Sequence, residues 1–119
     1  MTIEPVDKYS GTPMSEWIAR VPNELEVDAV GLWQIIPTGR DSFNLSGAAL
    51  EDFIRRSIIA LIERGAVPVR PAESEHEFWK KQDRYGILAT EIADRVIKEW
   101  EESGRDPDQD GLWFSMHPD

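Results

Sequence analysis

The sequence predicts an α+β fold, a compact two-layer sandwich. About three short strands, parallel or mixed in direction, pack against two long helices and one or two short ones. Three observations lead there. Leu50 to Ile62 and Leu88 to Trp100 repeat apolar residues at helical spacing. Runs rich in branched and aromatic residues lie between and beside them and read as strands. The chain has 119 residues, 40% hydrophobic and 30% charged, which suits one soluble globular domain with its own core.

Residues 1–12 are polar, contain Pro5 and Gly11, and read as an N-terminal arm packed through Val6 and Tyr9 or left loose. Residues 13–119 form the single globular domain. Thr12-Pro13 is a helix start, with Thr12 as N-cap and Pro13 at the first helical position. Trp17, Ile18 and Val21 supply the buried face of this short helix, and Pro22-Asn23 ends it.

Val27 to Ile36 reads as a mostly buried strand because branched and aromatic side chains dominate it. The loop 37–46 holds Pro, Gly, Asp, Ser and Asn, all turn formers, with room for an extended piece at Phe43. The clearest element is the helix from Gly47 to Arg64, capped by Ser46 and closed by Gly65. Glu51-Arg55 and Asp52-Arg56 support its exposed side with the acid N-terminal to the base.

Ala66 to Arg70 is a short strand, assigned to a sheet edge because Pro68 lacks an N–H. Ser74-Glu75-His76-Glu77 matches a capping box and opens a short helix presenting Phe78 and Trp79, closed by Tyr85-Gly86. The second long helix covers 88–103, with Glu91-Arg95 and Asp94-Lys98 pairs, and Gly104 ends it. Gly111 to Met116 is the last strand. Strands separated by long helices suggest parallel neighbours with helices on one face.

Composition excludes several functions. The 13 basic and 23 acidic side chains give a net charge of -10, so the positive footprint that phosphate backbones require is absent. Acids spread through the chain also argue against a one-sided mimic of nucleic acid. There is no cysteine, which removes disulfides, thiolate catalysis and Cys-ligated zinc and fits a cytoplasmic protein. The first residues lack a secretory pattern, and Ile58 to Ile62 is too short to span a bilayer, so no membrane partner is expected.

Two segments echo one another. Glu16-Trp17 precedes Asp28-Ala-Val-Gly31-Leu32-Trp33, and Glu99-Trp100 precedes Asp108-Gln-Asp-Gly111-Leu112-Trp113. Glycine permits close backbone approach, leucine faces the core, and tryptophan faces the other side. Two such strands side by side set their indoles on one face. That face is a paired-Trp ligand platform or, more simply, cover for the core.

Few constellations carry chemistry. Asp106-Pro-Asp108-Gln-Asp110-Gly111 matches the first half of a calcium loop, yet the twelfth position is His117 rather than glutamate. His76-Glu77 lacks the second histidine of H-E-x-x-H, since Lys80 stands there. No serine lies in G-x-S-x-G, and neither G-x-G-x-x-G nor a Walker loop occurs. The sequence therefore marks no catalytic residue, no metal ligand and no cofactor. The most site-like stretch is the loop containing Arg40, whose planar fork can grip an anion or pair with a neighbouring acid.

The expected function is a non-catalytic protein-interaction domain of an accessory, regulatory or immunity type, which suits a small acidic bacterial protein. Trp33, Arg40, Phe78, Trp79 and Trp113 are the candidate ligand- or partner-binding residues. The partner is another protein or a second copy, because a short edge strand and exposed aromatics can pair across a two-fold axis. The alternatives are a calcium or metal module through the Asp-rich loop 106–111 and a small enzyme with its site in the loop 37–46.

Overall fold

The computed structural model describes residues 4–73 and 78–116. Among the described residues the architecture is mixed α+β, with four α-helices and one four-stranded sheet whose pairings are antiparallel. Within those residues that is one strand more than the sequence predicts, and none of the pairs is parallel. The expected capping box at 74–77 and His117 lie outside the described residues.

Helix α1 spans Met14–Arg20 and begins after Pro13, which itself occupies the N-cap in place of Thr12. Pro22 does not stop the chain's helical course. A 3-10 turn continues over Val21–Glu26, since proline at the start of a turn forfeits no internal hydrogen bond. The arm is tied down through its backbone: Val6 bridges Pro13, and the Lys8 N–H donates to the Ser42 carbonyl at 2.9 Å. Val6 and Tyr9, expected as its anchors, are exposed.

The expected strand over 27–36 shrinks to β1, Val30–Gly31. The following residues form α2, Leu32–Pro37, because Leu32, Ile35 and Ile36 fall on one helical face and are all buried. The Gln34 side-chain carbonyl caps this helix, accepting the Gly31 N–H at 2.9 Å. The expected loop opens as a wide π-type turn, Thr38–Ser42, and Phe43 is buried rather than extended.

Helix α3, Gly47–Arg64, matches the predicted span and ends at Gly65 in a left-handed conformation. It packs against α4, Ala89–Ser103, and buried side chains of both helices, Ile54 and Ile58 of one and Ile92 and Val96 of the other among them, belong to one core, while Phe53 turns toward Trp17 and Phe43. Asp52–Arg56 and Glu91–Arg95 form as expected, each at 3.7 Å. Arg55 and Asp94 leave their own helices and pair with each other across the α3–α4 seam.

The sheet contains β2 (Val67–Pro71), β3 (Trp79–Lys81) and β4 (Trp113–Ser115) in the order β1-β4-β2-β3. Phe78 and Trp79 therefore belong to a bend and a strand, not to a helix. The edge position expected for β2 is also wrong, because β2 lies between β4 and β3. Pro68 is tolerated because its donor-less nitrogen points at the end of β3, where its carbonyl still accepts the Gln82 N–H at 2.9 Å.

Register fixes the faces. Phe114, opposite Val30 and Pro68, joins the helix-side core, and Arg70 on the same face reaches Glu99 of α4. Val69 and Trp113 point the other way. Neither belongs to the helix-side cluster, although Val69 is 0% exposed. The sheet thus carries a second apolar layer on its outer face.

Candidate functional site

Four aromatic rings make up that outer layer. Phe78 contacts Trp79 edge-on at 5.2 Å between centroids, Trp79 tilts against Trp113 at 5.3 Å, and Trp113 meets Trp33 edge-on at 6.0 Å. Edge-on and tilted packing suits the negative face and positive rim of aromatic rings. The run crosses the sheet from β3 past β4 to the start of α2. Fully buried Val69, which pairs with Trp113 and Lys81, shares this face.

Backbone geometry explains how two indoles meet here. Gly31 pairs with Trp113, and the Leu32 N–H donates to the Leu112 carbonyl at 3.0 Å, so the two Gly-Leu-Trp segments lie alongside. Both leucines are buried in the helix-side core, while both tryptophans stand on the outer face. The Trp33 indole folds back over Gly31. A Cβ there would lie 2.5 Å from Trp33 Cδ1, closer than any real contact, and a tight 3.1 Å from Trp113 Cε3.

The indole nitrogens have different fates. Trp113 Nε1 donates to the Gln109 carbonyl at 2.8 Å, which fixes its ring against the preceding turn. Trp33 Nε1 is buried and, among the described residues, has no hydrogen-bond partner. An unpaired buried donor costs free energy, so packing of the ring outweighs that penalty. Phe78, by contrast, is 76% exposed.

Of the candidate residues, the structure brings Trp33, Phe78, Trp79 and Trp113 together and leaves Arg40 apart. Arg40 binds Asp106 through two guanidinium nitrogens, at 2.5 and 3.3 Å. The Trp100 indole donates to the same carboxylate at 3.1 Å. The Arg40 hydrogen bond, assisted by Trp100, holds the Asp106 carboxyl below its ordinary range despite partial burial. Gly39 in the same turn packs onto Phe53 and Leu50, leaving no space for a side chain.

The pairing bears on the Asp-rich loop. With Asp106 turned to Arg40, Asp108 accepts the Asp110 N–H at 2.9 Å in a local turn. Among the described residues no three acidic or histidine side chains converge on a point where a metal could sit.

A polar cluster not marked in the sequence centres on Glu99. Its carboxylate accepts the Tyr85 hydroxyl at 2.6 Å and pairs with Arg84 at 2.9 Å and Arg70 at 3.4 Å. Burial, then the Glu99 carboxylate, pushes the Tyr85 hydroxyl above its ordinary pKa. Glu99 stands on α4 and its partners come from β2 and the turn before α4, so no local spacing announces the cluster. It ties the sheet to α4.

Comparison with protein-family models, with curated proteins and with solved structures gives no match for this chain. Among the described residues, no helix is long and apolar enough to cross a membrane.

Proposed function

We propose that the protein is a non-catalytic protein-interaction domain, of the accessory or immunity type, whose contact surface is the outer face of its sheet. The supporting observation is the aromatic run from Phe78 to Trp33, set on the face opposite the helical core and ending in a phenylalanine that is 76% exposed. Burying that ring against a partner is worth about 2 kcal/mol. Large aromatics on a rigid sheet are typical anchors of protein interfaces.

A second protein suits this face better than a second copy. An isologous pair of standard size needs about 800 Å² from each copy, and three of these rings already cover one another. Each chain also carries a net charge of -10, so two copies add like charge at close range.

The test is a photo-crosslinking phenylalanine analogue at position 78, with Lys98 on α4 as control site, in cells that express the protein natively. A discrete protein crosslinked from position 78 and not from 98 is the expected result. The same pattern from both sites, no product, or a product of twice the chain's mass overturns the reading.

A further inference from the structure

We infer a second binding surface, independent of the sheet face: the groove between α1 with its following 3-10 turn and α2 takes an amphipathic, lysine- or arginine-bearing segment of a partner protein. The groove encloses about 470 Å³ and has an apolar floor that includes Trp17, Val21 and Ile35. Its rim carries Glu24 and Asp28. Trp17 is held in place by Phe43 at 6.3 Å and Phe53 at 5.1 Å, so the floor is preformed.

The rim charge is uncompensated. Among the described residues neither Glu24 nor Asp28 forms an ion pair, because Arg20, the cation lining the same groove, pairs with Glu16 one turn back. The Asp28 N–H donates to the Glu24 carbonyl at 2.9 Å, which places the two acids four residues apart on one turn. Both acids line the groove, so a single cationic head seated there can meet either carboxylate.

A lysine or arginine side chain fits both parts of the groove. Its aliphatic stem lies on the apolar floor, its charge meets the rim, and the Trp17 indole adds a cation–π contact. Neighbouring apolar residues of the segment cover Val27, which is 86% exposed beside the rim. The chain's net charge of -10 draws such a segment in from a distance.

The test is a nitrogen-15 HSQC titration of the full chain with the blocked peptide Lys-Leu-Leu-Lys-Lys-Leu at about 150 mM salt, where the Debye length is about 8 Å. Shifts are expected at Ala29, Thr38 and the Trp17 indole. The double variant Glu24→Gln/Asp28→Asn weakens binding about tenfold, two ion pairs at somewhat under 1 kcal/mol each. Glu101→Gln/Glu102→Gln, with the same change in net charge on α4, stays within about twofold, because at this salt exposed charges more than a Debye length away are largely screened. A peptide with serine for leucine binds about tenfold more weakly, having lost its apolar contacts.

Equal losses from the two double variants, equal binding of the serine peptide or of spermidine, or no binding at all overturns the inference. Phe78→Ser leaves this titration unchanged, so failure here and failure of the sheet-face reading are separate results.

Discussion

Gly31→Ala probes how the aromatic face is built. The backbone at Gly31, with φ -92° and ψ 144°, accepts alanine without strain. On backbone grounds alone the change stabilises the fold by about 0.4–1 kcal/mol, because it restricts the unfolded chain. The added Cβ, however, would sit 2.5 Å from Trp33 Cδ1 and 2.6 Å from Trp33 Nε1. Carbon atoms prefer about 3.5–4.0 Å, so the indole must retreat by roughly 1 Å or swing away. Retreat weakens its edge-on contact with Trp113, worth about 0.5–1.5 kcal/mol, and uncovers ring surface worth about 1 kcal/mol more. The net expectation is a loss of about 1 kcal/mol. For a domain of this size that lowers Tm by about 3–6 °C. Urea unfolding gives the free energy, and near-ultraviolet circular dichroism reports the coupled indoles. An alanine variant that is more stable than the parent, with an unchanged near-ultraviolet spectrum, refutes the placement of Trp33 over Gly31.

Four further outcomes follow from the polar contacts. Tyr85→Phe removes the hydroxyl that donates to Glu99 and costs about 1–2 kcal/mol in urea unfolding at pH 7. Because folding raises the Tyr85 pKa, its contribution is full below about pH 10 and declines as pH rises through the folded value; the phenylalanine variant has a shallower alkaline limb in a pH series of melts. Asp106→Asn costs about 0.5–1 kcal/mol at pH 7, discounted for an exposed pair, and flattens the acid limb. The sign follows from the lowered Asp106 pKa, whose contribution is present above about pH 4 and is lost as pH falls through the folded value. Glu101→Gln raises Tm at pH 7 and has no effect at pH 3, since Glu51 on the facing helix raises the Glu101 pKa and the two repel once ionised. Calcium at millimolar concentration leaves the melting temperature of the metal-free protein unchanged, because Asp106 is committed to Arg40.

The elements legible in the sequence are those whose signals are local and agree. Helix α3 has apolar spacing, a small residue before it and Gly65 after it, and its span follows directly. Residues 32–36 carry two signals that conflict. Branched and aromatic side chains favour a strand, while Leu32, Ile35 and Ile36 keep helical spacing, and burial against the core selects the helix. Pro68 misleads because a missing donor costs a central strand only one ladder bond when it falls beside the end of the neighbouring strand, as it does next to Gln82. At the site, the repeated Gly-Leu-Trp exposes the Trp33–Trp113 adjacency, but strand alternation is not what produces it at the first copy, where Leu32 and Trp33 open α2 and the first helical turn sets their faces. Arg40–Asp106 and Arg55–Asp94 join residues 66 and 39 positions apart and follow only from the tertiary fold.

The outer face departs from what a two-layer fold ordinarily needs. An antiparallel sheet packed on helices from one side commonly alternates apolar and polar residues, with the polar set toward water. Here β4 alternates Trp113, Phe114 and Ser115, and β2 alternates Val67, Pro68, Val69 and Arg70, so apolar side chains stand on both faces. With strands of two to five residues, the ladders contribute few hydrogen bonds, and the second apolar layer adds stabilisation that a polar face would not. That role accounts for Val69, Trp113 and Trp33, which cover one another. It does not account for Phe78, which sits at the end of the run, covers little, and leaves most of its ring in water. A ring that contributes little to the fold and extends an otherwise self-packed layer is the one whose burial remains for a partner to complete.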